Sequence, residues 1–271
     1  MNQLTIADCG LRIELRRLKS AIRNPQSAIL ILGMLMPASM PAQQWPQHSM
    51  DRPRPPVVDP GPERPPVPAP KDAIVLFDGS NLSQWRAEDS SAAKWTVKDG
   101  YVVVKPGTGM LVSARPFGDV QLHIEWATPA VVKGEGQERG NSGVFLMGIY
   151  ELQVLDSYQN DTYPDGQAGA IYGENPPLVN ATRPPGQWQA YDIVFHRPHF
   201  KGDGSLESPA RMTVFLNGVL IQDNFELVGP TANKARPPYR AHPDKLPLKL
   251  QDHGNPLRYR DIWIRELPEG S

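Results

Sequence analysis

The chain has 271 residues, with 28 basic and 29 acidic side chains and a formal net charge of -1. That balance gives no electrostatic reason for a nucleic-acid or acidic-membrane partner. The lone Cys9 removes disulfides, cysteine–zinc sites and cysteine nucleophiles from everything downstream of it.

Residues 1–42 read as an export signal. Arg12, Arg16, Arg17, Lys19 and Arg23 form a basic approach, residues 28–36 are a short apolar run, and Ala38 to Ala42 offers small residues for cleavage. The run is shorter than the ~20 apolar residues that cross a bilayer, and no cysteine follows it for a lipid anchor. The expectation is export to a periplasm or beyond, with no membrane span in the mature form. Residues 43–70 carry much of the excess among the 30 prolines. They predict a disordered, semi-rigid polyproline tether. A folded unit over residues 71–268 then remains, long enough for one all-β core.

Within that unit short strands alternate with turn signals. Residues 73–77 run apolar into Asp78-Gly79. Residues 95–98 and 101–104 flank Asp99-Gly100 as a hairpin. Residues 110–112 form a brief strand. In residues 120–126, Val120, Leu122, Ile124 and Trp126 point inward and Gln121, His123 and Glu125 outward. Strands are expected at residues 189–195, 211–216 and 219–223, the last two joined at Asn217-Gly218, and at 246–252 and 257–265. No stretch shows sustained helical spacing of apolar residues. The pattern predicts an all-β fold, an antiparallel β-sandwich. Residues 134–141, 158–187 and 229–243 are long loops, of the kind that carry function.

The most informative stretch is Arg139 to Asp156. It reads as two strands, 144–147 and 150–155, with a corner at Gly148-Ile149. Alternation puts Leu152 and Val154 in the core and Glu151 and Gln153 side by side on the other face. A bulge at Leu155 would bring Asp156 round to that same face. Carboxylates and amides on an open sheet face suit a hydroxyl-rich ligand; a merely solvated face is the alternative.

Several motifs, taken in order, resemble the 3-keto-disaccharide hydrolase family over residues 74–267. They are the Leu76–Trp85 and Trp95–Gly100 segments, Gly140-Asn-Ser-Gly-Val-Phe145, Tyr150-Glu-Leu-Gln-Val-Leu-Asp156, the Pro184–Ile193 segment, Leu216-Asn-Gly218, Leu250-Gln-Asp-His-Gly254 and Arg258-Tyr-Arg-Asp-Ile-Trp263. The resemblance implies a concanavalin A-like jelly-roll sandwich of two antiparallel sheets. It also implies a hydrolase or lyase acting on glycosides already oxidised to a ketone at carbon 3. Where the family often has Arg-Asn, this chain has Arg260-Asp261.

A 3-keto glycoside has an acidified proton on carbon 2. Its removal gives an enediolate, the aglycone leaves carbon 1 by elimination, and water can add back. The route needs a base, donors for the enolate oxygen and an acid for the leaving group. The catalytic candidates are Glu151, Asp156 and His253, the last bringing the side chain that changes charge near neutral pH. They are expected to converge on one cleft. Substrate-binding candidates are Glu125, Asn141, Gln153, Tyr172, Gln251 and Arg260, with Tyr172 able to stack on a sugar ring. Two other readings compete: a noncatalytic carbohydrate-binding module, and a retaining glucanase with a pair of carboxylates about 5–5.5 Å apart. Gln153, at the middle of the glucanase-like strand, weighs against the latter. No metal site is assigned. A divalent cation such as calcium would suit loops containing Asp156, Asp161 and Asp165, but no full calcium-loop spacing occurs. No nucleotide-binding glycine loop is present, so a separate sugar 3-dehydrogenase is the expected upstream partner.

Overall fold

The computed structural model describes residues 45–268, so the expected export signal lies outside the described residues. In chain order the strands begin with β1 (Ile74–Phe77), β2 (Trp85–Ala87), β3 (Thr96–Lys98), β4 (Tyr101–Val103) and β5 (Leu111–Phe117). Next come β6 (Val120–Ala127), β7 (Ser142–Leu146), β8 (Tyr150–Val154), β9 (Gln189–His196) and β10 (His199–Phe200). The series ends with β11 (Leu206–Ser208), β12 (Arg211–Leu216), β13 (Val219–Glu226), β14 (Leu246–Leu250) and β15 (Arg258–Glu266). Only two 3-10 turns, Gly136–Glu138 and Pro164–Gly166, interrupt the strands and loops among the described residues.

The expected antiparallel two-sheet sandwich is what forms. One sheet has eight strands, in the order β13-β12-β9-β6-β15-β4-β3 with β1 also on β15. The facing sheet has five, in the order β2-β5-β14-β7-β8, and β10 and β11 pair with each other as a separate ribbon. Leu122, Ile124, Trp126, Tyr191, Ile193 and Phe195 of the larger sheet face Val144, Leu146, Leu152, Val154 and Leu250 of the smaller, all fully buried. Each such side chain contributes about 1.5–3 kcal/mol of transfer free energy. The inward set on β6 is the one its alternation predicts.

Local chemistry fixes the turns. Asp99-Gly100 and Asn217-Gly218 have φ of 50° and 80°, and 56° and 84°, the left-handed pairs that suit tight hairpins. The β7–β8 corner falls one residue earlier than expected, with positive φ at Met147 and Gly148. Asp261 has φ 46° at a register shift in the β15–β6 pairing. That bulge puts Arg260 opposite Glu125 and Trp263 opposite His123. Asn and Asp are the side chains that best tolerate this conformation, so position 261 carries a backbone requirement.

The proline-rich segment differs from a free tether. Over residues 45–64 it lies along the domain as a strap, turned over residues 47–52 and largely extended beyond them. Val57 bridges Asn180 in parallel, Val58 N–H donates to the Asn180 carbonyl at 3.0 Å, and Asn180 N–H donates to Pro56 at 2.9 Å. Prolines have no N–H to give, and their carbonyls are used instead. Arg183 donates to the carbonyls of Gly61 at 3.1 Å and Pro62 at 3.0 Å. The strap's extended shape is what proline dictates; its docking comes from partners in the 158–187 loop. No helix among the described residues is long and apolar enough to cross a membrane.

Candidate active site

The outer face of the smaller sheet carries a solvent-open cavity of about 600 Å³, lined by Asn141, Phe145, Glu151, Gln153, Tyr172, Thr231, Ala232, Asn233, Gln251 and His253. Its position follows from strand β8. This strand is a sheet edge, and an unpaired edge needs cover. The 158–187 loop supplies it: Gln153 N–H donates to Ala170 at 3.0 Å, Gly169 N–H to Gln153 at 2.9 Å and Tyr172 N–H to Glu151 at 3.2 Å. Glu151 N–H donates to Thr231 Oγ1 at 2.9 Å, which ties in the 229–243 loop. Two long loops thus wall the face that alternation leaves polar.

Glu151 is 5 % exposed, and no hydrogen bond or ion pair holds its carboxyl among the described contacts. Burial therefore pushes its pKa up from 4.5 to about 8, because nothing replaces the water that the charged form loses. Its Oε1 lies across Gly143, where an added Cβ would sit 2.5 Å away. Gly143 leaves the space that the carboxyl needs.

Amides surround the carboxyl, organised by Gln137 in the first 3-10 turn. Asn141 Nδ2 donates to the Gln137 carbonyl at 2.7 Å, and Gln153 Nε2 donates to Gln137 Oε1 at 2.9 Å. Gln137 in turn donates to Thr162 Oγ1 and to the Gly166 carbonyl, each at 2.9 Å. The Oε1 atoms of Gln153 and Gln251 are buried without a donor. Such acceptors are costly unless something supplies a hydroxyl. Tyr172 brings a phenol whose oxygen lies 2.9 Å from that of Tyr163. His253 stands at the exposed rim, on a loop pinned by Asp252, whose Oδ2 accepts from Thr108 N–H at 2.9 Å and Gly109 N–H at 3.1 Å.

Glu151, His253, Asn141, Gln153, Tyr172 and Gln251 thus share one cavity. Three other sequence candidates are elsewhere. Asp156 does not come round to Glu151: Val154 and Leu155 are both fully buried, and Asp156 instead lines a neighbouring pocket with Thr128, Arg139 and Asn255. There its Oδ2 accepts from Arg139 Nε at 2.7 Å. Glu125 and Arg260 lie on the outer face of the larger sheet, across the core from Glu151. Arg260 Nε donates to Glu125 Oε2 at 2.6 Å, and its guanidinium sits 4.1 Å from the Trp188 ring centre.

That opposite face carries an ion network, beside a pocket lined by Glu63, His123, Glu125, Trp188 and Asp192. His123 is fully buried, stacked on Trp263 at 5.2 Å, with Nδ1 2.6 Å from Asp192 Oδ1. Burial alone would lower its pKa; Asp192 and Glu125 raise it instead, to about 9. The strap's Glu63 reaches this network, accepting from Trp188 N–H at 3.2 Å and lying 3.5 Å from Arg260.

Asp156 is taken by Arg139, Asp161 pairs with Arg54 at 2.5 Å, and Asp165 is buried. The described residues contain no group of three or more His, Cys, Asp or Glu that could hold a metal ion. Sequence reasoning missed Gln137, Phe145, Tyr163 and Thr231 to Asn233. The available signal was the length of the loops that bear most of them.

Residues 72–265 match the family of 3-keto-alpha-glucoside-1,2-lyase-like domains. No curated protein matches the chain. Among solved structures, a candidate glycosyl hydrolase from Parabacteroides distasonis is 47 % identical over 73 % of this chain and 85 % of its own, with a TM-score of 0.72. A second from the same organism is 20 % identical over 73 % of this chain and 95 % of its own, with a TM-score of 0.53. A third is 21 % identical over 72 % and 99 %, with a TM-score of 0.52. The last two share the fold.

Proposed function

The chain belongs to the 3-keto-alpha-glucoside-1,2-lyase-like family, and from that premise we propose that it is an enzyme cleaving the glycosidic bond of 3-keto glycosides, with Glu151 as the base. The observation that carries this reading is the buried, unpaired Glu151 carboxyl, its pKa raised to about 8, in a cavity walled by amides and a phenol. A carboxylate without partners is a far stronger base than one in water, and it needs no second charge to act.

Glu151 takes the proton from carbon 2, and the electron pair of that C–H bond moves into an enediolate with carbon 3. Tyr172 O–H and the amide N–H groups of Asn141 and Gln251 are the cavity's donors for the enolate oxygen. Collapse of the enediolate forms the carbon 1–carbon 2 double bond and expels the aglycone oxygen, which takes a proton from the cavity. The proton now on Glu151 meets that need. The product is an unsaturated 3-keto sugar. Water adding at carbon 1, with a proton returned to carbon 2, completes hydrolysis. The unpaired Gln153 and Gln251 oxygens accept sugar hydroxyls. Oxidation at carbon 3 falls to a separate dehydrogenase acting earlier.

The glucanase reading needs two carboxylates, and Glu151 is the single acid among the described residues lining this cavity. The test is turnover of a 3-keto-glucoside beside its unoxidised parent. We expect cleavage of the keto sugar alone, a kcat/KM that rises with pH toward a plateau above about 8, and a loss of about 10²–10⁴-fold in Glu151→Gln. Cleavage of the unoxidised glycoside by wild type, or full activity in Glu151→Gln, would sink the proposal.

A further inference from the structure

The strap precedes the part of the chain that matches the family, yet its first residues reach the loops that wall the Glu151 cavity. His48 stacks on Tyr163, with ring centres 4.1 Å apart and planes 23° from parallel, and lies 5.2 Å from the Tyr172 ring. The His48 backbone N–H donates to the buried Asp165 Oδ2 at 3.0 Å. Gln47 Nε2 donates to the Ala232 carbonyl at 2.9 Å and lies so close to Gly173 that a Cβ there would sit 1.8 Å away. Gln47 therefore bridges the loop bearing Tyr172 and the loop bearing Thr231 to Asn233.

We propose that His48 is a positioning residue for the cavity, setting the Tyr172 phenol through the Tyr163 ring on which it stacks. The role assigned to Tyr172 rests on the reading of the cavity given above. Two phenols joined by one hydrogen bond keep one O–H between them for another acceptor. If Tyr163 donates, the Tyr172 proton is free for a substrate oxygen, and donation along the chain strengthens both bonds. That arrangement needs the Tyr163 ring at a fixed tilt, and the final torsion of a tyrosine ring is soft by itself. The His48 face supplies the restraint. Its Nε2 is buried with no hydrogen-bond partner, so the ring serves there by its face. Burial lowers the His48 pKa, which keeps an uncharged ring on Tyr163, and burial raises both phenols, which keeps them as donors.

The test uses the whole protein and four variants: His48→Ala, His48→Phe, Tyr163→Phe and the double variant His48→Ala/Tyr163→Phe. On a 3-keto-glucoside we expect His48→Ala and Tyr163→Phe each to lower kcat about tenfold with KM within about threefold, and the double variant to lose no more than either. His48→Phe, which keeps the stack, should return kcat to within about twofold of wild type. A second readout needs no turnover. In protein labelled with carbon-13 at tyrosine Cζ, the Tyr172 resonance, identified by its loss in Tyr172→Phe, should move in His48→Ala and return in His48→Phe. An unmoved resonance in His48→Ala, additive losses in the double variant, or no recovery in His48→Phe overturns the proposal. A resonance that moves and recovers in a protein inert toward keto sugars supports the positioning and overturns the assigned reaction instead.

Discussion

Replacing Glu151 by Gln should stabilise the fold, and increasingly so as the pH rises. Folded, the carboxyl titrates at about 8 instead of 4.5 because burial strips its water and nothing in the cavity pairs with it. Unfolded, it returns to its ordinary value. Between those two values the native state keeps a proton that the unfolded chain has released. The unfolding free energy therefore falls with rising pH, by about 1.4 kcal/mol per unit, and levels off above the folded pKa. The full penalty is on the order of 5 kcal/mol, a large share of the 5–15 kcal/mol that holds a typical domain together. Gln has nearly the same shape and cannot ionise. Urea unfolding of wild type and Glu151→Gln in parallel, from about pH 5 to about pH 9, isolates the effect. Other shifted groups, such as Glu174, which burial pushes up to about 7, are common to both proteins and cancel. The variant's advantage should be small near pH 5 and several kcal/mol by pH 8, while turnover is lost throughout. A difference that stays constant with pH would mean that the carboxylate is solvated or paired, and the argument for Glu151 as a strong base would fail with it.

Gly143→Ala should cost at least tenfold in kcat, because its Cβ would collide with Glu151 Oε1 at 2.5 Å and with Phe145 at 2.8 Å, with about 1–3 kcal/mol of strain; unchanged kinetics would show that the carboxyl does not need that space. Arg139→Ala leaves Asp156, 4 % exposed, without its cation, and should destabilise by about 3–5 kcal/mol. Asp156→Asn should cost less and keep most of the turnover, and a dead Asp156→Asn enzyme of normal stability would restore Asp156 to the chemistry. His123 is raised to about 9 despite burial, so its charged form adds stability that is complete below about pH 6.5 and lost as the pH passes 9. Asp192→Asn should therefore lower stability by about 1–2 kcal/mol at pH 6, after allowance for the half-exposed carboxylate, and by little at pH 10. Turnover should not change, since this network lies across the core from the cavity.

Much of this arrangement can be read from the chain. Strict alternation in Val120–Trp126 and Tyr150–Val154 sorts inward from outward side chains correctly, and the Asp-Gly and Asn-Gly pairs mark real hairpins. Alternation does not say which sheet a strand joins. Glu125 and Glu151 are both outward, and only the sheet assignment puts them on opposite sides of the molecule. Asp156 departs from its expected face because the run Val154-Leu155 enters the core with two consecutive residues as β8 ends, and its carboxylate then meets Arg139, which lies opposite it beyond the open end of the β7–β8 hairpin. The short strands β2, β10 and β11 have too few residues for a periodic signal. In the strap, proline composition gives the conformation correctly, but docking depends on carbonyl acceptors and on Asn180 and Arg183, whose proximity is a tertiary fact.

The strap also sets an order of events. Its hydrogen bonds and ion pairs to the rest of the domain join residues 107 to 197 positions apart, and contacts of such separation form late, because the chain between them must be organised first. The stretch that leaves the ribosome early can find its place only once the 158–187 and 229–243 loops have settled over β8. Refolding protein would then regain its sheets before its cavity, and recovery of activity would lag behind recovery of the β-sheet signal. A preparation with native secondary structure and an unseated amino-terminal segment would look folded to most probes and still hold Tyr172 loosely.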